Sequence, residues 1–321
     1  MKVVLPEHVR PHLEGKLPGQ VTPVWYSGGV TGYGPAEAAF SGEGSGAEVA
    51  WLDLLGSPKI ATVVEAARNV KWISTSLAGV NGWPLQQIRD RGLRLTNGAG
   101  LNAKPVAEFA VMGVLAMAKN FRELVYAQDR KDYVAQAPGV VELADTRALI
   151  IGYGGIGRQI AQRLRAFEVE VVGVRRTPSG EPGVIGPDDW RGRLGEFDWI
   201  ILAAAATRET ARIIGPDELK AMKPSAVIVN IARGDLIDQA ALIDAVSRKT
   251  IAGAFLDVTS PEPAPSDDTI WTTPNIVLTS HTSGRSQTRL MQRASALFLE
   301  NLEHYLAGQP LKNQVDLELG Y

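Results

Sequence analysis

The feature that most constrains this chain is a group of three glycines that follows a short apolar segment. Residues 148–151 are apolar, and Gly152, Gly154 and Gly157 follow them in the spacing G-x-G-x-x-G. Apolar residues then recur at helical spacing over 158–167, and a second apolar segment comes after them. The order strand, glycine turn, helix, strand predicts half of a doubly wound parallel sheet, with a dinucleotide site at the turn.

Each glycine of this turn has its own physical purpose. Gly152 permits a tight turn, Gly154 lets the backbone approach a pyrophosphate, and Gly157 lets the helix pack closely on the strand. The N–H groups and the dipole at the helix start favour phosphate groups. Glycines also serve plain turns, but the position between a strand and a helix favours the dinucleotide site. We expect the cofactor to contact Gly152, Tyr153, Gly154, Gly155, Ile156 and Gly157.

The residues after the second strand indicate which dinucleotide is bound. That strand covers 169–174, and Arg175, Arg176 and Thr177 follow it, with no acid before Glu181. An NAD site usually has Asp or Glu at this strand end to hold the ribose 2′-hydroxyl, whereas Arg suits the 2′-phosphate of NADP. Two guanidinium groups and a hydroxyl suit a phosphate dianion. We therefore predict NADPH in preference to NAD, and a solvated basic loop is the alternative.

The composition limits the class of protein. A chain of 321 residues with 45% hydrophobic and 21% charged residues suits about two globular domains. The net charge of −2 argues against a nucleic-acid or membrane partner. Because there is no cysteine, disulfides, thiolate metal ligands and cysteine nucleophiles are excluded, and we assign no metal site. We find no signal peptide or membrane-spanning apolar run, so the expected location is cytoplasmic.

Strands and helices alternate along most of the chain, which predicts an α/β fold with two doubly wound parallel sheets. We expect a substrate-binding domain at 1–99, completed by 286–321, and a dinucleotide-binding domain at 100–285. Residues 121–134 combine aromatic and charged groups and suit a helical arm on another surface, such as a second subunit. The predicted strands are 2–5, 21–25, 47–52, 70–74, 93–96, 148–151, 169–174, 199–203, 226–230, 251–257 and 276–279. The predicted helices are 58–68, 105–119, 158–167, 215–222, 238–248 and 286–306.

Four polar residues follow predicted strand ends in the second domain, where ligands of such sheets bind. These are Arg233, Asp257, Glu262 and His281. His281 lies among Ser, Thr and Gly residues that cannot fill a core, and a histidine beside a nicotinamide can transfer a proton near neutral pH. A structural histidine is the alternative, and we assign that purpose to the other three histidines.

Glu262 and Arg233 each have two interpretations. If Glu262, between two prolines, contacts His281, it fixes the ring tautomer and favours the protonated ring. Otherwise it is an exposed loop carboxylate. Arg233 lies between Ala232 and Gly234 and suits a bidentate clamp for a carboxylate, with a surface salt bridge as the alternative.

Small residues at other strand ends complete the candidate site. One predicted strand ends in the small residues Ala204, Ala205 and Thr207. Small residues are needed where a strand passes beneath a bound cofactor. The segment 77–81 includes Ala78 and Gly79, whose accessible N–H groups suit a carboxylate, although an ordinary strand-to-helix turn fits the spacing equally well. We expect further cofactor contacts at Ile231, Ala232, Asp257, His281 and Gly284.

At these residues the chain resembles the D-isomer-specific 2-hydroxyacid dehydrogenase family, in its branch of glyoxylate/hydroxypyruvate reductases. The matching stretches are Gly152–Gly157, Asn230–Gly234, Asp257–Pro263 and Thr279–Gly284. The resemblance implies a Rossmann nucleotide-binding domain inserted in a flavodoxin-like substrate domain, and a homodimer formed through the nucleotide-binding domain. The implied activity is reduction of a small 2-oxo acid to the D-2-hydroxy acid by hydride transfer from NADPH.

The resemblance also implies a purpose for each site residue. Arg233 binds the 2-oxo acid and polarises its carbonyl, His281 is the acid/base, and Glu262 is its partner. The backbone of Ala78 and Gly79 holds the substrate carboxylate, and Asp257 lies near the nicotinamide carboxamide.

Some positions differ from the family pattern. Phe109 stands where many relatives have histidine, the segment 205–207 lacks a frequent proline, and Thr282 and Ser283 replace more apolar residues. These differences affect substrate preference and the cofactor pocket. An NAD-linked phosphoglycerate or phosphite dehydrogenase and a non-catalytic, dinucleotide-sensing corepressor-like protein are the alternatives.

Overall fold

The chain forms two compact units. The computed structural model describes residues 1–27, 39–53, 60–80, 82–178, 180–285 and 287–320. One unit comprises Met1–Asn102 and Gln287–Tyr321, and the other comprises Ala103–Ser286. Parts of several sequence-based predictions fall outside the described residues: the first two residues of the helix at 58–68, Asn81 of the segment 77–81, and Ser286 at the start of the last predicted helix.

The first unit contains a five-stranded parallel sheet. Its strand order is β2-β1-β3-β4-β5, the order of flavodoxin-like doubly wound sheets. All the strand pairs are parallel, so the carboxyl ends of the strands lie at one edge of the sheet. The strands are β1 (Lys2–Pro6), β2 (Thr22–Tyr26), β3 (Ala47–Trp51), β4 (Trp72–Ser74) and β5 (Arg94–Thr96). The helices are α1 (Arg10–Leu13), α2 (Ile60–Ala66) and α3 (Leu85–Asp90).

The second unit contains a seven-stranded parallel sheet in the order β12-β11-β10-β9-β6-β7-β8, which is the Rossmann arrangement. Its helices are α4 (Ala103–Ala118), α5 (Phe121–Arg130), α6 (Gly155–Arg165), α7 (Pro216–Ala221) and α8 (Gln239–Ser247). Its strands are β6 (Arg147–Ile151), β7 (Glu170–Val174), β8 (Val184–Ile185), β9 (Trp199–Leu202), β10 (Val227–Asn230), β11 (Gly253–Leu256) and β12 (Ile276–Leu278). The predicted α/β class with two parallel sheets is therefore confirmed.

The last helix, α9 (Leu290–Leu306), belongs to the first unit and closes one face of its sheet. Phe298 of α9 lies against the buried indole rings of Trp51 and Trp72, with ring centroids 5.0 and 5.3 Å apart. These three residues bury large apolar areas that the N-terminal segment cannot cover by itself. The chain therefore returns to its first unit after completing the second.

In the second unit, α4 packs directly on β11. A Cβ at Gly113 would lie 2.5 Å from the ring of Phe255, so glycine is needed for this approach. Phe109, one of the departures from the family pattern, also contacts Phe255, with ring centroids 5.8 Å apart. Phe109 thus has a packing purpose on this sheet.

The structure differs from the sequence-based predictions at several element ends, and the helix predicted at 286–306 begins at Leu290. The short helices α1 and α3 were not predicted, because four and six residues show too little of the helical period. The helix predicted to begin at residue 158 begins at Gly155, because glycines of low helix propensity form its first turn. The short strand β8 was not predicted, since two residues cannot show the period of a strand. None of the helices within the described ranges is both long and apolar enough to cross a membrane.

Candidate active site

The glycine turn connects β6 to α6, and neighbouring strands hold it in place. The N–H groups of Gly152 and Tyr153 both donate to the carbonyl oxygen of Val174, at 3.1 and 2.8 Å. Gly152 has φ = 103°, which glycine adopts without strain. A Cβ at this position would also lie 2.3 Å from the backbone nitrogen of Ala204. The turn is therefore fixed between the ends of β7 and β9.

The other two glycines of the motif differ in what surrounds them. A Cβ at Gly157 would lie 2.4 Å from the carbonyl oxygen of Gly152, so the start of α6 packs directly on the turn. A Cβ at Gly154 would have no atom of the described residues within 4 Å. No side chain caps the start of α6, which begins at Gly155. Open space beside N–H groups at a helix start fits a pyrophosphate.

The end of β7 presents the basic pair that the sequence analysis selected. Arg175 donates its backbone N–H to Ile185 at 3.1 Å, and so follows the edge of the sheet. The exposed guanidinium of Arg176 lies 3.2 Å from a carboxylate oxygen of Glu209. Glu181, the first acid after the strand, forms an ion pair with Arg158 of α6. The first acid after the strand is thus paired with the helix that follows the glycine turn.

The residues after β9 form a turn that is closed by a threonine hydroxyl. Thr210 donates its hydroxyl to the carbonyl oxygen of Ala205 at 2.7 Å and accepts the N–H of Thr207 at 2.8 Å. Ala204, beside Gly152, is half-buried, whereas Ala205 is exposed. The predicted small-residue segment therefore lies next to the glycine turn.

Arg233 lies in a turn at the end of β10 that a buried amide holds in shape. Asn230, 1% exposed, accepts the N–H of Ala232 at 3.0 Å and donates to the carbonyl oxygen of Arg233 at 2.9 Å. A Cβ at Gly234 would lie 2.0 Å from the carbonyl oxygen of Thr259. The guanidinium is exposed and donates to the neighbouring carbonyl oxygen of Ala232 at 2.7 Å. The backbone of the turn is therefore held in one shape, and the positive charge of the Arg233 side chain remains accessible.

Asp257, immediately after β11, is a buried carboxylate that is bound by the turn after β12. It accepts the hydroxyl of Thr279 at 2.6 Å, the N–H of Thr282 at 2.8 Å and the N–H of Ser283 at 3.0 Å. Burial favours a higher pKa, but the hydrogen bonds from Ser283, Thr279 and Thr282 outweigh it and lower the pKa of Asp257. Asp257 therefore remains charged, held by the hydroxyl of Thr279 and by the backbone N–H groups of Thr282 and Ser283.

His281 lies inside the turn that Asp257 binds. Its φ of 49° is in the left-handed region, which costs about 1 kcal/mol or more for a residue with a side chain. A backbone hydrogen bond offsets this cost, because the N–H of His281 donates to the carbonyl oxygen of Asp257 at 2.8 Å. Arg285 donates to the carbonyl oxygen of His281 at 3.1 Å. The sequence analysis did not select Arg285, whose contact depends on this local turn.

The structure brings His281 and Glu262 together. Nδ1 of His281 lies 2.6 Å from Oε1 of Glu262, and the two side chains are 42% and 40% exposed. The ring is thus oriented by a carboxylate and still accessible. Within the described residues, no hydrogen bond or ion pair joins Arg233 to either side chain. The chain places the three groups on loops of one unit, and two of them are in direct contact.

Ala78 and Gly79 belong to the first unit, just after β4, and both are exposed. Asn97 donates its side-chain amide to the carbonyl oxygen of Ala78 at 2.9 Å, and Gly98 donates its N–H to Leu77 at 2.8 Å. Among the described residues, the N–H groups of Ala78 and Gly79 have no protein acceptor. Two adjacent N–H groups of this kind suit an anion.

The family of the chain follows from its nucleotide-binding unit. Residues 111–283, more than half of the chain, match the model of the D-isomer specific 2-hydroxyacid dehydrogenase, NAD binding domain. The protein belongs to this family of NAD(P)-dependent oxidoreductases.

Individual relatives agree with this assignment. The chain is 32% identical over 278 residues to a glyoxylate reductase from Korarchaeum cryptofilum, covering 84% of this chain and 83% of that one. It is 30% identical over 259 residues to a D-3-phosphoglycerate dehydrogenase from Methanocaldococcus jannaschii, covering 79% of this chain but only 49% of that protein.

A solved structure agrees in fold. The D-isomer specific 2-hydroxyacid dehydrogenase from Xanthobacter autotrophicus, in complex with NADPH and MES, superposes with a TM-score of 0.78 at 24% identity. The superposition covers 100% of this chain and 99% of that one.

The contrast between Gly154 and Gly157 can be tested by replacing each glycine with alanine, which adds one methyl group. Gly154→Ala should leave the free energy of unfolding within about 1 kcal/mol of the wild type. It should weaken NADPH binding on the order of tenfold or more, because the methyl group occupies the space for the pyrophosphate. Gly157→Ala should instead destabilise the fold by about 2 kcal/mol. Urea unfolding and fluorescence titration measure the two effects, and unchanged NADPH affinity in Gly154→Ala would contradict the assignment.

Proposed function

We propose that this protein reduces a small 2-oxo acid, of the size of glyoxylate or hydroxypyruvate, to the D-2-hydroxy acid with NADPH. The observation that most supports this is the 2.6 Å contact between Nδ1 of His281 and Glu262, in the unit that contains the dinucleotide turn. An accessible histidine whose ring is fixed by a carboxylate is suited to general acid/base chemistry. The glyoxylate reductase among the relatives points to the same substrate class.

In this proposal His281 is the general acid. Because Glu262 accepts a hydrogen bond from Nδ1–H, the other ring nitrogen, Nε2, donates its proton to the substrate oxygen as that oxygen becomes an alkoxide. Glu262 also stabilises the positive charge of the protonated ring. In the reverse direction, the neutral ring accepts the proton of the hydroxy acid.

Arg233 and the turn at Ala78–Gly79 hold the substrate. The exposed guanidinium of Arg233 binds the 2-oxo acid and stabilises the negative charge that develops on the carbonyl oxygen. The backbone N–H groups of Ala78 and Gly79 bind the substrate carboxylate. Both sites present donors whose positions are set by buried side chains, Asn230 for the first and Asn97 for the second.

The dinucleotide is held by the glycine turn and by the residues after β7 and β9. When bound, it supplies the hydride that reduces the carbonyl carbon. The proposed dinucleotide site is also lined by the small residues at 204 and 205 and by the backbone of Ile231, Ala232 and Gly284. Asp257 orders the loop that contains His281. Arg175, Arg176 and Thr177 bind the 2′-phosphate, which makes NADPH the preferred form.

A panel of substrates tests the activity. Glyoxylate, hydroxypyruvate, phenylpyruvate, 3-phosphohydroxypyruvate and phosphite should each be assayed with both NADPH and NADH, or with the oxidised cofactor for phosphite. We expect reduction of one of the first two with NADPH. His281→Ala should lower turnover about a hundredfold or more, the usual size for loss of a general acid.

Glu262→Gln is the matched variant, since it retains the shape of the side chain but not its charge. It should lower turnover less than His281→Ala. Near-normal turnover in His281→Ala would exclude the acid/base role. Activity on phosphite or the phosphorylated acid alone would favour the NAD-linked alternatives, and cofactor binding without turnover would favour a sensor.

The cofactor preference has a separate test. The double variant Arg175→Ala/Arg176→Ala loses charged hydrogen bonds worth about 1.5–3 kcal/mol each, so NADPH should bind at least about tenfold more weakly. NADH affinity should change little, because NADH has no 2′-phosphate. Fluorescence titration with both cofactors measures this, with Arg248→Ala, at an exposed residue directly after α8, as the control. Equal losses for both cofactors would contradict the 2′-phosphate assignment.

We also propose that the protein is a homodimer that associates through the nucleotide-binding unit. Several large apolar side chains are exposed on α4, on α5 and shortly after α6. Met112, Phe121 (57% exposed) and Phe167 line one apolar groove on this surface. Exposed apolar patches of this kind mark interaction sites.

Sedimentation velocity tests the dimer. The wild type should sediment at twice the chain mass of 34.5 kDa, and Met112→Asp/Phe121→Asp should sediment as a monomer because burying two unpaired charges is unfavourable. Leu319→Asp, an exposed site on the other unit, is the control. A monomeric wild type at micromolar concentration would contradict the proposal.

A further inference from the structure

The first unit contains a cluster of buried polar groups that the proposed mechanism does not use. The cluster lies at the carboxyl edge of the sheet, where β1, β3 and β4 end. Its members are the buried Asp53, Thr75 and Ser76 and the half-buried His8, whose side chain is 27% exposed. The sequence analysis assigned His8 to packing or the surface and did not select the other three. Buried polar groups destabilise the folded state unless they are hydrogen-bonded. The partners of these groups therefore indicate what they do in the fold.

Asp53 is the centre of this cluster. It is 2% exposed, and its Oδ1 accepts the N–H of Ser76 at 2.7 Å and the hydroxyl of Thr75 at 3.0 Å. The same hydroxyl accepts the N–H of Leu77 at 3.3 Å. The carboxylate therefore fixes three consecutive residues that lead directly into Ala78 and Gly79.

The second oxygen of Asp53 has a different environment. Within the described residues, Oδ2 is buried without a hydrogen-bond partner, and so are both ring nitrogens of His8. Nε2 of His8 lies 3.7 Å from Oδ2, within range of an ion pair when the ring is protonated. His8 is thus the basic group placed to compensate the buried negative charge.

We propose that Asp53, with His8 as its counter-charge, is a positioning residue for the carboxylate-binding turn at Ala78–Gly79. The inference rests on the proposed function, in which this turn binds the substrate carboxylate. Asp53 holds the turn from the side of β3, and Asn97 holds it from the side of β5. The N–H groups of Ala78 and Gly79 are then kept in place without using an acceptor from the part of the chain that the structure describes.

A carboxylate suits this position better than an amide. It only accepts hydrogen bonds, so one oxygen can serve both Ser76 and Thr75 without presenting a competing donor. Its charge strengthens both bonds relative to neutral pairs. Asp53 does not contact the substrate in this proposal, so its loss should affect substrate affinity more than the chemical step.

Steady-state kinetics with glyoxylate at saturating NADPH test the proposal. Asp53→Asn should raise KM for glyoxylate about tenfold or more, because a neutral amide oxygen holds Ser76 and Thr75 more weakly than the charged carboxylate does. The value of kcat should fall less than about threefold, and the dissociation constant of NADPH should be unchanged, because the dinucleotide turn lies in the other unit. His8→Gln should raise KM in the same direction.

Asp316→Asn is the matched control. Asp316 is a carboxylate of the same unit that accepts two backbone N–H groups, from Glu318 and Leu319, at 2.9 and 3.0 Å. Its loss should leave KM unchanged. An equal rise in KM for Asp53→Asn and Asp316→Asn would show a general loss of structure and overturn the proposal.

Thr75 provides a second pair in case Asp53→Asn does not fold. Thr75→Val removes the hydroxyl and should raise KM for glyoxylate. Thr75→Ser retains the hydroxyl and should leave KM at the wild-type value. An active wild type with unchanged KM in Asp53→Asn and Thr75→Val would overturn this inference alone. A wild type that turns over no 2-oxo acid would overturn the proposed function, and this inference with it.

Discussion

The parallel register of both sheets is the constraint on which the rest of this protein depends. In the second unit, β10, β11 and β12 are paired in parallel, so Asn230, Leu256 and Leu278 end at the same edge. Turns that follow these strands are therefore neighbours, although they are separated by twenty or more residues in sequence. The glycine turn after β6 reaches the same edge through β9. Every candidate group of the dinucleotide-binding unit is placed by this arrangement.

The exposed groups of the candidate site are supported by buried polar side chains. Asn230 shapes the turn of Arg233, Asp257 holds the left-handed turn of His281, and Asp53 holds the turn that precedes Ala78. Each supporting group bonds to at least one backbone N–H or C=O group, so it limits the conformations of a loop that has no regular secondary structure. A rigid loop loses less entropy when a ligand binds, and that favours both affinity and orientation.

Much of the fold was predictable because the local signals agree. The runs before and after the glycine turn have the apolar pattern of buried parallel strands, and β6 and β7 were found from it. The start of α6 was predicted three residues late, since two of its first three residues are glycines, which have low helix propensity. The strand β8 has two residues and no pattern of its own, so only its pairing with β7 defines it.

For the candidate site, the sequence by itself determined the residue types and their places after strands: the spacing of three glycines, a basic pair after β7, and an arginine, a glutamate and a histidine in motifs that resemble a known family. Only the tertiary structure decided which of them meet. The contact between His281 and Glu262, the engagement of Asp257 by Thr279, Thr282 and Ser283, and the support of Ser76 by Asp53 all join segments that are distant in sequence. Strand register and loop conformation set such contacts, and neither is encoded in the spacing of residues along one segment.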